Sequence, residues 1–340
     1  METKRTGRTI RLGEPVAVVS FAAVGGKLEG RGPLGDRFDE REDDSFFGQK
    51  TWEAGESAMQ RRALQRALDK GGLRPGDLDC VFAGDLLNQC IGSTFSLRSF
   101  GVPFYGVYGA CSTMGESLSL AALLIDGGFA RLAAAMTSSH YCTAERQYRA
   151  PVPYGSQRTP TAQWTATAAG CCILGRQGAG PYVTHVTCGR IVDMGITDAN
   201  NMGAAMAPAA CDTLAALFRD TGTTPADYDL IATGDLGALG RSIVADLMER
   251  EGFPMGERYT DCGLLLYDRR RQDMHAGGSG CGCSAAVLNS FFLPGLRAGR
   301  WKRLLFAPTG ALLSPTSSFQ GESIPGICHA VVLSRTKEVD

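Results

Sequence analysis

Apolar residues recur along this chain in two alternating rhythms. Short apolar runs bounded by turn residues read as buried strands over Pro15–Val24, Leu78–Ala83, Arg131–Ser138, Ala168–Leu174, Asp229–Thr233, Arg303–Ala307 and Ile327–Leu333. Between them, apolar positions three and four apart predict helices over Trp52–Lys70, Cys111–Ile125, Asn201–Arg219, Gly240–Glu251 and Cys281–Leu296. The first of these helices closes at Gly71-Gly72, a helix stop signal. Strands alternating with helices argue for an α/β architecture. A polar, proline-containing stretch from Thr143 to Thr161 interrupts the pattern.

The pattern also repeats. Pro75-Gly76-Asp77-Leu78-Asp79-Cys80-Val81-Phe82-Ala83-Gly84-Asp85-Leu86 resembles Pro225-Ala226-Asp227-Tyr228-Asp229-Leu230-Ile231-Ala232-Thr233-Gly234-Asp235-Leu236. Each copy follows a helix and ends in Gly-Asp-Leu. After each, a turn of small residues opens a helix, at Gly109-Ala110-Cys111 and at Gly277-Gly278-Ser279-Gly280, and that helix leads into a strand. The ordered series predicts two homologous halves, 1–175 and 176–340, with 143–165 as a loop inserted in the first.

Charge and composition narrow the function classes. Lysine plus arginine (34) nearly balance aspartate plus glutamate (35), which removes any global charge argument for nucleic acid. The 12 cysteines are scattered and none forms a Cys-x-x-Cys pair, and the 4 histidines are scattered too, so reduced buried thiols are expected in place of a zinc site. The N-terminal Met1-Glu2-Thr3-Lys4-Arg5 has no signal-peptide core, and the longest apolar stretch, around Leu118–Ile125, is too short to span a bilayer. A soluble or peripherally attached chain is expected.

Cys111 carries the candidate chemistry. A strand, a tight Gly-Ala turn and a helix place its thiol at a helix N-terminus, where the macrodipole and free N–H groups favour thiolate. Asp85 and Asp235 end equivalent strands. Asp235 is read as a helix cap, and Asp85 either as a cap or as a pocket or calcium contact. His140, His185 and His329 lie in apolar, strand-like contexts and are read as structural. His275 enters the glycine-rich turn and is read either as a turn histidine held by backbone or as a functional group. Arg269-Arg270-Arg271 reads as a charged surface turn.

Several motifs together resemble a known family. Gly84-Asp85-Leu86-Leu87-Asn88-Gln89, Gly109-Ala110-Cys111-Ser112-Thr113-Met114, Glu145-Arg146-Gln147-Tyr148-Arg149, Pro160-Thr161-Ala162-Gln163-Trp164-Thr165 and His275-Ala276-Gly277-Gly278-Ser279-Gly280 are similar to the stage V sporulation protein AD family of the thiolase-like superfamily. The resemblance runs from about Val16 to about Leu333. It implies a thiolase-like fold, with two homologous α/β halves packed as a five-layer αβαβα sandwich. It also implies binding of dipicolinic acid, or its calcium chelate, and support of its uptake into the developing spore. The partners implied are membrane-embedded proteins of the same machinery, at the spore inner membrane as a peripheral component, and a homodimer is a further expectation. No cofactor is implied beyond calcium in the chelate, no metal site, and no nucleic acid.

The resemblance also sharpens what is missing. A condensing enzyme of this superfamily needs two further side chains beside its cysteine, commonly His with His or Asn. One would lie where Gly234-Asp235 stand, the other where Gly278-Ser279 stand, and Ala307-Pro308-Thr309-Gly310 has no late Cys-x-Gly. An aspartate beside a thiolate raises its pKa, so condensation is disfavoured. The competing expectation is an acyltransferase that uses Cys111 with His275 as base; a third is a scaffold with an empty cleft. Because dipicolinate is a planar dianion, its site should offer guanidinium forks and a flat wall. The segment from Arg146 to Trp164 supplies Arg146, Arg149, Arg158, Tyr148, Tyr154 and Trp164, or else covers a dimer interface. The ligand-binding residues expected are Asp85, Cys111, His275, Arg146, Arg149 and Gln163.

Overall fold

The computed structural model describes residues 2–148 and 158–337. The first half contributes β1 (Lys4–Thr6), β2 (Thr9–Gly25), β3 (Cys80–Gly84), β4 (Phe104–Gly106), β5 (Leu132–Ser139) and β6 (Ala168–Gly175). The second contributes β7 (Tyr182–Thr187), β8 (Leu230–Thr233), β9 (Tyr259–Asp261), β10 (Arg303–Ala307) and β11 (Ala330–Ser334). The first half orders its strands β2-β6-β5-β3-β4, the second β7-β11-β10-β8-β9. The senses match as well: in each, the first two pairings are antiparallel and the last two parallel. The repeat noticed in the sequence is therefore a repeat of topology, with Asp85 after β3 and Asp235 after β8. Antiparallel pairing of β2 with β7 joins the two arrangements into one sheet.

Strand alternation builds the layers. Cys80 and Phe82 of β3 and Leu304 and Phe306 of β10 point to a shared middle core. There they meet Met114, Leu118 and Ala122 of α3 (Thr113–Asp126) and the buried face of α7 (Cys281–Val287). The intervening Val81 and Ala83 pack outward on Met59, Leu64 and Leu68 of α1 (Trp52–Gly71). Leu305 and Ala307 pack outward on Met206, Leu214 and Phe218 of α5 (Met202–Thr221), beside α6 (Gly237–Arg250). Three apolar cores separated by two strand layers give the five-layer αβαβα arrangement.

Several elements depart from the expected pattern. β2 begins at Thr9, well before Pro15, because its first residues pair with β7 and only its later ones with β6. β7 itself carries Thr184, His185 and Thr187, polar residues that hide a strand from an apolar-run reading. The expected break after Thr143 is partly helical: α4 spans Tyr141–Tyr148 and buries Thr143, Ala144 and Glu145. A short helix, α2 (Ile91–Leu97), follows β3. Among the described residues no helix is long and apolar enough to cross a membrane.

Candidate functional site

The Cys111 turn is held by its own neighbours. Ala110 sits at φ +49°, the left-handed region. The N–H and hydroxyl of Ser112 donate to Gly109 O at 3.0 and 2.7 Å, and the Thr113 hydroxyl donates to Ala110 O at 2.5 Å. This knot aims the thiol at the N-terminus of α3, as the sequence predicts. What it meets there differs from a condensing enzyme.

Asp235, buried after β8, lies near enough to the Cys111 thiol to act on its ionisation. Its carboxylate is fixed by Thr309 (hydroxyl to Oδ1, 2.8 Å), by Ser279 (hydroxyl to Oδ2, 3.2 Å) and by the Gly280 N–H (3.2 Å). The expected capping role belongs instead to Asp261, which accepts the N–H groups of Leu236, Gly237 and Gly263 at 2.9, 3.0 and 3.0 Å. Burial pushes Asp261 up to about 7. Burial also raises the Cys111 thiol well above its ordinary value, and Asp235 and Cys281 push the same way. The favourable field of the helix terminus is outweighed, because a desolvated thiolate beside a carboxylate loses more than a partial dipole charge returns.

Two neighbouring spaces lie at this turn, one of them against the thiol. An inner chamber of about 40 Å³, room for little more than one water, is lined by Cys111, Ala110, Ser279 and Thr165 together with apolar groups such as Met202 and Ala311. An outer cup of about 280 Å³ is lined by Leu87–Cys90, Leu312 and Ser314. Both share Tyr108, Tyr148 and Leu313 as a wall. The Tyr148 hydroxyl donates to Leu86 O at 2.5 Å, which leaves it to accept from Tyr108 at 2.9 Å. No lysine or arginine lines either space among the described residues.

The other expected site residues lie elsewhere. Asp85 does not line the chamber: its oxygens accept Leu87 N–H at 2.9 Å and the N–H and hydroxyl of Ser93 at 2.7 and 2.6 Å, so it caps α2. His275 is no base for Cys111; Nδ1 bonds Thr159 O at 2.7 Å and Nε2 faces Asp273 at 3.2 Å. Arg146 pairs with Glu53 and lies over the Trp52 ring. Gln163 donates to Asp235 O and, at 3.4 Å, to Gly278 O, a bracket behind the site. Arg149 and Tyr154 lie outside the described residues. Arg158 binds Asp273 and covers Trp164, which stacks on Tyr141 at 3.8 Å. His140 bonds Ser45 O, His185 bonds Thr184 and His329 accepts Gly189 N–H, all structural contacts.

Sequence reasoning dismissed Thr309 and Gly310, yet both reach the site. A Cβ on Gly310 would sit 2.2 Å from Gly109 O and 3.3 Å from Cys111 N, so the loop is pressed against the nucleophile turn. Tyr108, which walls both spaces, carries no signal of that role in the sequence. Among the described residues no cluster of three His, Cys, Asp or Glu side chains is suited to hold a metal.

A duplicated α/β fold with a cysteine at the head of its first central helix defines a class of proteins, those with a thiolase-like fold. Solved structures agree. 3-Oxoacyl-[acyl-carrier-protein] synthase III from Aquifex aeolicus matches with a TM-score of 0.58 at 12% identity, covering 94% of this chain and 99% of that one. OleA from Xanthomonas campestris matches with a TM-score of 0.59 at 14% identity, covering 95% and 99%. Within that class the chain belongs to the stage V sporulation protein AD family, whose model matches residues 6–334. It is 44% identical over 333 residues to stage V sporulation protein AD of Bacillus subtilis (strain 168), covering 98% of each chain. It is thus a sporulation protein with a thiolase-like fold.

Proposed function

We propose that this protein binds dipicolinic acid, or its calcium chelate, and supports its uptake into the developing spore as a peripheral component beside membrane-embedded partners. The observation that carries the non-catalytic part of this reading is the Asp235 carboxylate against the Cys111 thiol. Condensation requires an acyl-accepting thiolate with a neighbouring proton carrier. Here the thiol is held neutral, and none of the four histidines lines the chamber.

The outer cup is the place proposed for the ligand, the chamber behind it being too small to take it. Tyr108 and Tyr148 wall the cup with flat aromatic surface, their hydroxyl hydrogens already given to Tyr148 and to Leu86 O. The cup's described lining is uncharged, and an unpaired dianion entering such a site carries a desolvation cost of several kcal/mol (~). The form that suits this lining is therefore the calcium chelate, in which the dianion is already neutralised. A homodimer through the outer edge of β4 is part of the same proposal, since β4 ends the sheet and carries an exposed Tyr105 beside Ile91 and Phe95 of α2.

Calorimetric titration with dipicolinate, with and without calcium, tests the reading, alongside intact-mass analysis after incubation with acyl-thioesters. Saturable binding that tightens with calcium, and no adduct, is expected. A flat titration of folded protein removes the ligand role; a stable acyl adduct on Cys111 restores the enzyme.

A further inference from the structure

A basic recess lies away from the Cys111 site. Strand register places Lys4 of β1 opposite Arg11 of β2, and Arg11 opposite His185 of β7. Directly opposed residues share one face of a sheet, so these three side chains stand together. Thr6 and Thr9, two residues along each strand, share that face, and the Thr9 hydroxyl meets Thr187 at 2.9 Å. Arg303, at the start of β10, closes the group. Between this face and the last turn of α5 is a space of about 270 Å³. A larger recess of about 650 Å³ shares Arg303 and Thr223 with it and adds Lys302 and Arg335.

The carboxylates nearby are already engaged with backbone. Asp220 accepts the N–H groups of Arg8 and Thr9 at 2.9 and 3.0 Å and the Thr9 hydroxyl at 2.9 Å. Asp229 accepts the N–H groups of Lys302 and Arg303 at 2.6 and 3.0 Å. Asp227 accepts the N–H and hydroxyl of Thr224 at 2.7 and 3.0 Å. Among the described residues, Lys4, Lys302, Arg303 and Arg335 make no ion pair within 4.0 Å. Among the described residues, these four cations thus line the two recesses beside three carboxylates that hold strand ends in place. The chain as a whole carries a net charge of only −1, so this local excess is a built feature. His185 reports the same field: burial, with Arg303 and Arg11 beside it, lowers it to about 4.

We propose that this recess is a second ligand site, for a compact, multiply charged phosphate group. Beside the engaged carboxylates the lining is of small hydroxyl residues, Thr221 and Thr223, which meet at 2.7 Å. The nearest aromatic face, Tyr228, is already covered by the Arg303 guanidinium at 4.7 Å. Clustered cationic donors without a free flat surface suit a tetrahedral anion rather than a planar ring. The phosphate can come from a soluble phosphate compound or from a lipid headgroup.

The test is titration of the full chain with pyrophosphate, together with co-sedimentation on vesicles of phosphatidylglycerol and, separately, phosphatidylcholine. The variants are Arg303→Gln combined with Lys302→Gln, and Lys4→Gln combined with Arg335→Gln, the second pair serving if the first fails to fold. Arg131→Gln, which lines neither recess, is the control. Saturable pyrophosphate binding that weakens tenfold or more in a folded double variant and not in the control assigns a soluble phosphate ligand. Selective binding to phosphatidylglycerol vesicles, lost in the same variant, assigns a headgroup. Absence of both in the wild type, or either one unchanged in the folded variants, overturns the proposal. Calorimetry with dipicolinate on the same variants keeps this site separate from the Cys111 cleft, where their affinity is expected to be unchanged.

Discussion

A carboxylate facing a thiol opposes ionisation of that thiol through its charge, and burial opposes it again through lost hydration. At Cys111 both act together, with Asp235 supplying the charge. Asp235→Asn keeps the shape and removes the charge, so alkylation of Cys111 by a small reagent should accelerate several-fold and extend to lower pH. Intact-mass kinetics measure this, and an unchanged rate would show that access, not ionisation, limits the thiol. Glu56 poses a second electrostatic question. It accepts hydroxyls from Ser138 at 3.0 Å and Thr143 at 2.7 Å, yet burial, then the charge of Asp85, raise it from 4.5 to about 8. The folded state then keeps a proton that the unfolded chain releases, so stability falls as pH rises across that window, by at most about 1.4 kcal/mol per unit for this group. Glu56→Gln should flatten the slope in urea unfolding between about pH 5 and about pH 8. A residual slope in the same direction is expected from Asp85, also raised by burial. Equal slopes in variant and wild type would assign the dependence elsewhere.

Elements matter here through how closely their ends approach. The loop after β10 presses Gly310 onto the turn that precedes α3, leaving 2.2 Å between a would-be Cβ and Gly109 O. Backbone on both sides cannot yield as a flexible side chain can. Gly310→Ala should therefore cost about 2–4 kcal/mol, read as a lower thermal midpoint by circular dichroism with loss of any dipicolinate binding. A melting curve like the wild type's would mean that the loop moves freely. The same loop carries Thr309 to Asp235, so one connection sets both the shape of the site and the orientation of its acid. Helix α3, by contrast, delivers Cys111 as its sequence predicts, but its dipole does not decide the thiol's charge.

At the scale of the molecule, the sheet runs from β9 at one end to β4 at the other. β4 is three residues long, and beside it Tyr105, Ile91 and Phe95 are 54%, 43% and 44% exposed. Exposed apolar groups at an open strand edge favour pairing with a second copy. Sedimentation should show a dimer, and Tyr105→Asp should shift it towards monomer without unfolding it. A wild-type monomer at all concentrations would place the partner of this edge on another protein.

Much of this arrangement was legible in the chain before folding. Apolar rhythm and the echo around Asp85 and Asp235 determined the α/β class, the duplication and the position of Cys111, because each depends on contacts between near neighbours or on a repeated local pattern. Strands such as β7 and β9 were hidden, since a short or polar-rich strand is stabilised by the sheet that accepts it rather than by its own residues. The site was legible only at its centre. Glycine and aspartate after β8 could be read as a missing histidine, but whether Asp235 capped a helix or faced the thiol depended on where Asp261, Ser279 and Thr309 arrived. The roles expected of Asp85, His275 and Arg146 were likewise decided by partners distant in sequence: Ser93, Thr159 and Glu53. Local pattern determined which elements form. Only tertiary packing, by setting burial and bringing charges together, decided what each polar group does.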